Sequence, residues 1–397
     1  MCWADGTAVL FDDIFCSPSL RYFEVRGDAF TVLKRMPSLV NRCPLLETFK
    51  AINPNFKRPA TGSRSIEPSV PVTKAVCAWK HLRDADCGLM SPEMLSRIAH
   101  LPRLNSLSID VYAQSKWIIE DDTFGMPAVN RLNIRADRYS TCGKALDLLF
   151  KVSDKEGPNQ NDLASVTALS VIARVDCPSD PAIFAFANSL ATSVSPASLS
   201  SLDILMNDQR GDDTDYLKTG AYPSLRPLTA FTQLTSFSCN SYTNHVFFKG
   251  LELLDLAKSW PLVEFLSVRR VRQPLRITEL AELLRCCKHL RVLDTEILVK
   301  NADVMTVYRE VVLEDARGSN ATRNEHINKA LFRIPAGGSR TPGVEWFAPL
   351  LEWLFPRLVT IRMMSEAHIE FWCQVAECVE VLGQRPAGEV KIELWEM

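Results

Sequence analysis

The amino-acid sequence predicts an α/β solenoid, a stack of short parallel strands with return helices, and three observations carry that prediction. The spacing L-x-x-L-x-L recurs along the chain, as in LPRLNSLSID with Leu104, Leu107 and Ile109. Ten such stretches begin at positions 20, 46, 82, 104, 129, 166, 199, 234, 263 and 290, separated by gaps of 22 to 37 residues. Between them the apolar period changes from near two to near 3.6, as it does where a strand gives way to a helix. Strand plus helix at roughly 30 residues per unit is the signature of a leucine-rich repeat, here irregular and about 11 units long over residues 1–397.

The first strands are SPSLRYFEV, with Leu20, Phe23 and Val25 inward, and CPLLETFKA, with Leu46, Phe49 and Ala51. DAFTVLKRM between them suits a short helix. Residues 55–73 replace periodic apolar residues with Pro, Ser, Gly and charge, so they read as a loop insertion. WKHLRDADC then buries Leu82, Ala85 and Cys87. In SPEMLSRIAHLP, Ser91 suits the cap of a helix, Pro92 its first turn and Pro102 its end, with Leu95 and Ile98 inward.

The next inward triplets are Val129, Leu132 and Ile134, then Val166, Leu169 and Val171, then Leu199, Leu202 and Ile204. Leu234, Phe237 and Cys239 follow, then Val263, Leu266 and Val268, and finally Leu290, Leu293 and Thr295. Two helices between these strands show a face: Phe247, Leu251 and Leu254 in one, and Leu280, Leu283, Leu284 and Cys287 in the other. After position 290 the spacing lapses until FPRLVTIRM, with Leu358, Ile361 and Met363, leaving room for one degenerate repeat. A helix is expected over ADVMTVYREVVLEDA. Residues 207–222 and 313–345 read as further loop insertions, and 365–397 as a capping segment containing the helix HIEFWCQVAECVEVLG.

Composition narrows the function classes. A formal net charge of -2 argues against nucleic acid or an anionic membrane as the main partner, since both call for a basic surface. No run of 18 uncharged apolar residues occurs, so no membrane-spanning helix is expected. The start MCWADGTAVLFDDIF lacks the basic region of a secretory signal, which makes a cytoplasmic or nuclear location and reduced thiols the expectation for the twelve cysteines.

Motifs for chemistry are missing where they would be needed. No C-x-x-C pair occurs, and the adjacent Cys286 and Cys287 read as part of a helix, with Cys287 as a small buried hydrophobe. His368, Glu370, Cys373 and Cys378 depart from a zinc deaminase pattern because the cysteines are five apart and share one helix. GGSRTPG at 337–343 lacks the Gly-Lys-Ser/Thr ending of a phosphate-binding loop, and neither H-E-x-x-H nor G-x-S-x-G is present. Asn320-Ala321-Thr322 is a formal glycosylation triplet of no weight without secretion. The sequence thus points to a non-enzymatic protein, with no catalytic residue, no cofactor and no metal ligand assigned.

What remains is the surface. On each strand the residues between the buried ones face the other way, onto what would be the concave side of a horseshoe. In order these are Asp84 and Asp86, then Ser106, Ser108 and Asp110, then Arg131, Asn133 and Arg135, and much later Arg269. Ser201, Asp203, Ser236, Ser238, Phe265, Asp294 and Arg362 share that face. Two readings stand side by side: a solvated face whose charges neutralise one another, or a recognition surface for a protein partner. The second expects Arg131 and Arg135 to tolerate charge reversal without loss of folding.

LFDDIFCSPSLRYFEV, CPLLETF, LPRLNSLSI, LAKSWPLVEFLSV and ITELAELLRCCKHLRVL together resemble the repeat region of fungal F-box proteins with leucine-rich repeats. That resemblance implies repeats that hold a protein substrate, while a separate N-terminal F-box binds a Skp-type adaptor of a cullin ubiquitin ligase. An F-box opens with an L-P-x-E type motif and needs more room than residues 1–19 offer before the strand at Leu20. Adaptor and cullin contacts therefore fall on no residue of this chain, and are expected only with an F-box upstream. The alternative is a free-standing repeat scaffold or a regulator of a small GTPase.

Overall fold

The computed structural model describes residues 17–26, 36–52, 70–89, 95, 97–98, 101–112, 129–150, 165–174, 181–207, 225–241, 246–269, 271–315, 324, 326–327, 329–333, 343–363, 368–386 and 388–394. The chain forms two compact units, Met1–Asp176 with Pro181–Leu199, and Cys177–Asp180 with Ser200–Met397.

In the first unit six strands lie side by side in sequence order: β1 (Tyr22–Arg26), β2 (Thr48–Ile52), β3 (Asp84–Leu89), β4 (Ser106–Val111), β5 (Arg131–Ala136) and β6 (Ala168–Arg174). Every neighbouring pair is parallel. The helices are α1 (Met36–Arg42), α2 (Val70–Ala78), α3 (Tyr139–Leu149) and α4 (Pro181–Ser193). Register is constant apart from one shift in β3 after Asp86, and inward residues stack on their counterparts: Phe23 on Phe49, Ala85 on Leu107, Leu107 on Leu132, and Leu132 on Leu169. Leu107, Ile109 and Ile134 are fully buried, as alternation on a one-sided parallel sheet demands.

A backbone step just before each strand fixes that register. The Arg21 carbonyl accepts the N–H groups of Glu47 and Thr48, the Glu47 carbonyl those of Arg83 and Asp84, and the Arg83 carbonyl those of Asn105 and Ser106. Asn105 and Asn130 repeat the arrangement toward the next strands. One carbonyl thus satisfies two amides of the following unit, and a slip would break the series at every strand. Behind the sheet, α3 and α4 approach closely at Gly143, where a Cβ would lie 3.3 Å from Ser189 Oγ and 3.5 Å from the Phe186 Cα.

The second unit continues the same construction. Its strands are β7 (Ser201–Asn207), β8 (Ser236–Ser241), β9 (Val246–Lys249), β10 (Phe265–Val268), β11 (Val271–Gln273), β12 (Leu275–Arg276), β13 (Val292–Leu298), β14 (Lys329–Arg333), β15 (Thr360–Met363) and β16 (Lys391–Leu394). The main sheet runs β7-β8-β10-β13-β14-β15-β16, β12 joins the end of β13, and β9 pairs with β11 apart from it. The helices are α5 (Gly250–Lys258), α6 (Ile277–Cys286), α7 (Asn301–Asp315), α8 (Val344–Leu354) and α9 (Ile369–Leu382). The two-amide carbonyl step recurs at Ser200, Thr235 and Glu264. The protein is an α/β leucine-rich-repeat solenoid.

Several expectations are corrected. The insertion at 55–73 ends earlier, because α2 starts at Val70; residues 53–69 lie outside the described residues, as do 208–222 of the 207–222 insertion. The stretch 313–345 is not all loop. Ile327, Ala330 and Phe332 are buried at repeat spacing and β14 pairs between β13 and β15, the weak second position being an alanine. Buried Asn324 anchors the turn ahead of this strand: its Nδ2 donates to the Leu290 carbonyl at 3.0 Å, and its Oδ1 accepts from the His326 and Ile327 amides.

The capping segment 365–397 carries α9 and also one more repeat strand, β16, with Ile392 opposite Ile361. By that register the place of Leu358 is taken by Glu389, so the leucine spacing gives no signal. Buried Glu380 aligns the strand by accepting from the amides of Gly388 at 3.0 Å and Val390 at 2.7 Å. Among the described residues the first unit has six strands side by side and the main sheet of the second has seven, in keeping with a long irregular repeat array.

In α5 the inward face is Leu253, Leu254, Leu256 and Ala257, while Leu251 is 61% exposed. Strand β9 occupies Val246–Lys249 and the helix starts only at Gly250, which shifts its phase. The short helix expected over DAFTVLKRM lies outside the described residues except for Met36, the first residue of α1.

Candidate functional site

The polar face of the first unit is built by the strand register. One row runs Tyr22, Thr48, Asp84, Ser106 and Arg131, and the next runs Glu24, Lys50, Asp86, Ser108, Asn133 and Ser170. Asp110 and Arg135 are paired in the third. Because side chains two apart on a strand point the same way, these rows lie on the face away from the buried leucines.

Three of these side chains form one ion cluster. Arg135 Nε donates to Asp110 Oδ1 at 2.6 Å, while its Nη1 and Nη2 donate to the two oxygens of Asp86 at 3.0 and 2.5 Å. The planar guanidinium thus binds Asp86 as a fork and still has its third edge on Asp110, a geometry that lysine could not supply. The cluster is sunk: side-chain exposure is 17% for Arg135, 16% for Asp86 and 8% for Asp110.

A bulge in β3 makes room for it. The pairing shifts between Asp86 and Leu89, and Gly88 there has a φ of 64°. That left-handed value suits glycine, and a Cβ would lie 3.4 Å from Asp110 Oδ2.

Burial raises the Asp110 carboxyl above its ordinary value, the attraction and hydrogen bond of Arg135 hold it back, and the charge of Asp86 pushes it up further. For Arg135 burial acts downward, yet its bonds and charges to Asp86 and Asp110 outweigh that and keep it a cation. The neighbouring Cys87 thiol is raised well above its usual range by burial and by Asp86, so it is no nucleophile at neutral pH.

Beside the cluster, Asn133 Nδ2 donates to Ser108 Oγ at 3.1 Å, and Thr48 Oγ1 donates to Asp84 Oδ2 at 3.2 Å. Asp84 and Ser106 are half-buried at the strand starts, and Arg131 is exposed. The structure therefore unites Asp86, Asp110 and Arg135, sets Ser108 and Asn133 next to them, and keeps Asp84, Ser106 and Arg131 in an outer row. Arg135 is not a free cation. The expectation that it tolerates charge reversal is corrected, because a third carboxylate would be packed against two.

Arg269, the ninth expected residue, belongs to the second unit and to a second cluster. Its Nε and Nη2 meet Asp294 Oδ2 at 2.8 and 2.7 Å. Arg362 Nη1 lies 3.9 Å from Asp294 Oδ1, and its Nε donates to Glu393 at 3.2 Å. Ser267 Oγ is 3.4 Å from both Asp294 Oδ2 and Asn240 Oδ1, and Asn240 Nδ2 donates to Ser238 Oγ at 2.8 Å. Asn240 and Ser267 follow from strand alternation and could have been read from it; Glu393 could not, since β16 lacks the leucine signal.

At the starts of the same strands Phe265 and Val292 are register partners, Phe265 half-buried and Val292 41% exposed. An apolar pair thus sits on the polar face, with Arg269 two positions beyond Ser267 on β10's side of it.

Other chemistry finds little footing. Among the described residues no group of three or more His, Cys, Asp or Glu could hold a metal ion, and no helix is long and apolar enough to cross a membrane. Cys373 is exposed and Cys378 half-buried on α9, with His368 at its N-cap. Burial pushes the thiol of Cys287 up to about 12.

No protein-family model matches the chain, and no curated protein does either. Among solved structures it is similar to an internalin from Listeria monocytogenes, at 10% identity over 88% of this chain and 80% of that one, with a TM-score of 0.37. It is also similar to the leucine-rich repeat-containing protein LegL7 from Legionella pneumophila, at 13% identity over 78% and 90%, with a TM-score of 0.34. The fold assignment rests on the register and burial described above.

Proposed function

We propose that this chain is a non-enzymatic scaffold that binds a protein partner on the sheet face opposite its buried leucines. One observation carries the reading. That face is a ladder of in-register polar side chains fixed by the backbone, and on it Phe265, Val292 and the half-exposed Arg269 offer the aromatic, aliphatic and guanidinium mixture that anchors protein interfaces. In the first unit the residues open to contact are Asp84, Ser106 and Arg131, while Asp86, Ser108, Asp110, Asn133 and Arg135 hold the face in shape. Enzyme chemistry has no comparable support, since the buried thiols described above are suppressed as nucleophiles.

The finer reading is substrate recognition in a cullin ubiquitin ligase, supported by the resemblance of the repeat stretches to fungal F-box proteins. A Skp-type adaptor and cullin enter that reading only through an F-box upstream of the repeats. The other reading is a free-standing scaffold or small-GTPase regulator.

The test uses affinity capture with the wild-type chain and with Val292→Asp plus Arg269→Ala, both side chains being open enough to change without disturbing the core. The variant should keep its thermal transition and lose the captured protein. Undiminished capture overturns the surface. Adaptor and cullin in the captured set favour the ligase reading, and a GTPase in their place favours the alternative.

A further inference from the structure

The surface between α8 and α9 in the second unit is an apolar groove that the repeat architecture does not need. Val344, Ala348 and Pro349 line it from α8, and Cys378, Val381 and Leu382 from α9, around about 420 Å³. The inward stripe of α9 is Trp372, Val375, Ala376 and Val379, so Val381 and Leu382 lie off it, and Val381 is 77% exposed. An aliphatic side chain so open, next to others lining one groove, is the kind of patch that marks an interaction site rather than scattered surface hydrophobes.

Two features say what would cover it. Glu345 and Glu377, both exposed, line the groove on opposite helices, and among the described residues no lysine, arginine or histidine lines it. Pro349 has no N–H, so the Glu345 carbonyl one turn earlier receives no helical bond from that position. The rim therefore presents carboxylates, and a donor-rich, cationic ligand complements it. A groove between two helices can seat a third lying along them.

We propose that this groove docks a basic amphipathic helix of a partner protein, with aliphatic residues at i, i+3 or i+4 and i+7 seated on Val381, Leu382 and Pro349, and lysine or arginine flanking them to meet Glu345 and Glu377. The site is independent of the polar sheet face, and either can fail without the other.

The test measures fluorescence anisotropy of a labelled Leu/Lys helical peptide, and of its Leu/Glu counterpart, against the full chain. The Leu/Lys peptide should bind and the Leu/Glu peptide should not. Val381→Asp should weaken binding about tenfold, the scale of losing one buried aliphatic contact. Glu345→Lys with Glu377→Lys should transfer preference to the Leu/Glu peptide, whereas Glu310→Lys with Glu389→Lys, an equal charge change elsewhere, should leave the Leu/Lys affinity within twofold. Equal loss in both charge variants, or none with Val381→Asp, overturns the proposal. A concentration-dependent dimer that Val381→Asp abolishes also overturns it, by giving the groove to a second copy.

Discussion

The two ion clusters use the same strand positions and reach opposite outcomes. In the first unit Arg135 is gripped by two carboxylates beneath the surface, and all three side chains are under one fifth exposed. In the second unit Asp294, only 11% exposed, is approached by two arginines, of which Arg269 is 47% exposed and Arg362 also bonds Glu393. One cation between two acids has nowhere else to turn, so that cluster acts as part of the core. In the second cluster the acid is sunk but one of its cations, Arg269, is half exposed, so that side chain is within reach of a partner. The surface of a repeat protein is thus not uniform recognition area, and charge alone does not show where it is available.

The largest effect expected from this difference is at Arg135. Removing one partner of a buried ion pair costs about 3–5 kcal/mol, because the remaining charges stay desolvated. Arg135→Met should therefore lower the urea midpoint sharply, Arg135→Glu more so, and adding Asp86→Asn and Asp110→Asn to Arg135→Met should recover much of the loss. A midpoint for Arg135→Met close to the wild type would show the cluster to be solvated.

The matching change in the second unit is Asp294→Ala. It removes the buried acid together with its desolvation cost and leaves Arg269 half exposed and Arg362 still on Glu393, so its cost should stay below that of Arg135→Met and shrink as salt is added. A cost equal to that of Arg135→Met, insensitive to salt, would erase the distinction between the clusters.

The pH dependence separates them further. Asp110 has a carboxyl raised above 3.8 by burial, so in the window between 3.8 and its folded value the native state holds a proton that the unfolded chain has released. Stability from this residue is therefore greatest below the window and falls as pH rises through it. Asp110→Asn should remove that decline, read from chemical denaturation at a series of pH values, and parallel profiles for the two proteins would contradict the raised direction.

How much of this was open to sequence reading depends on what each feature is made of. The inward triplets were legible because burial repeats at a fixed spacing: Leu104, Leu107 and Ile109 are all buried, and so are Val263, Leu266 and Val268. Strands β14 and β16 were not, since an alanine and a glutamate occupy leucine places and the pairing of neighbours holds them anyway. The polar face was legible as a set of positions, since strand alternation gave Asp86, Asp110 and Arg135 together. That Arg135 is locked was not legible, because it depends on the bulge at Gly88, which adds a residue to β3 and cannot be seen in a spacing rule.

The inner faces of the two units differ as well, and the smallest effect lies there. In the first unit one inner row runs Ile109, Ile134 and Val171, all aliphatic. The matching row of the second unit runs Ile204, Cys239, Val268 and then Thr295, directly beside Asp294 in sequence. Thr295 is fully buried and its Oγ1 has no hydrogen-bond partner among the described residues. A buried hydroxyl left unpaired costs about 1–3 kcal/mol, while valine has nearly the same shape and nothing to satisfy. Thr295→Val should therefore raise the thermal midpoint, by a few degrees at most for a domain of this size. A lower midpoint would mean that the hydroxyl is bonded in solution, and that the inner row of the second unit is as well satisfied as that of the first.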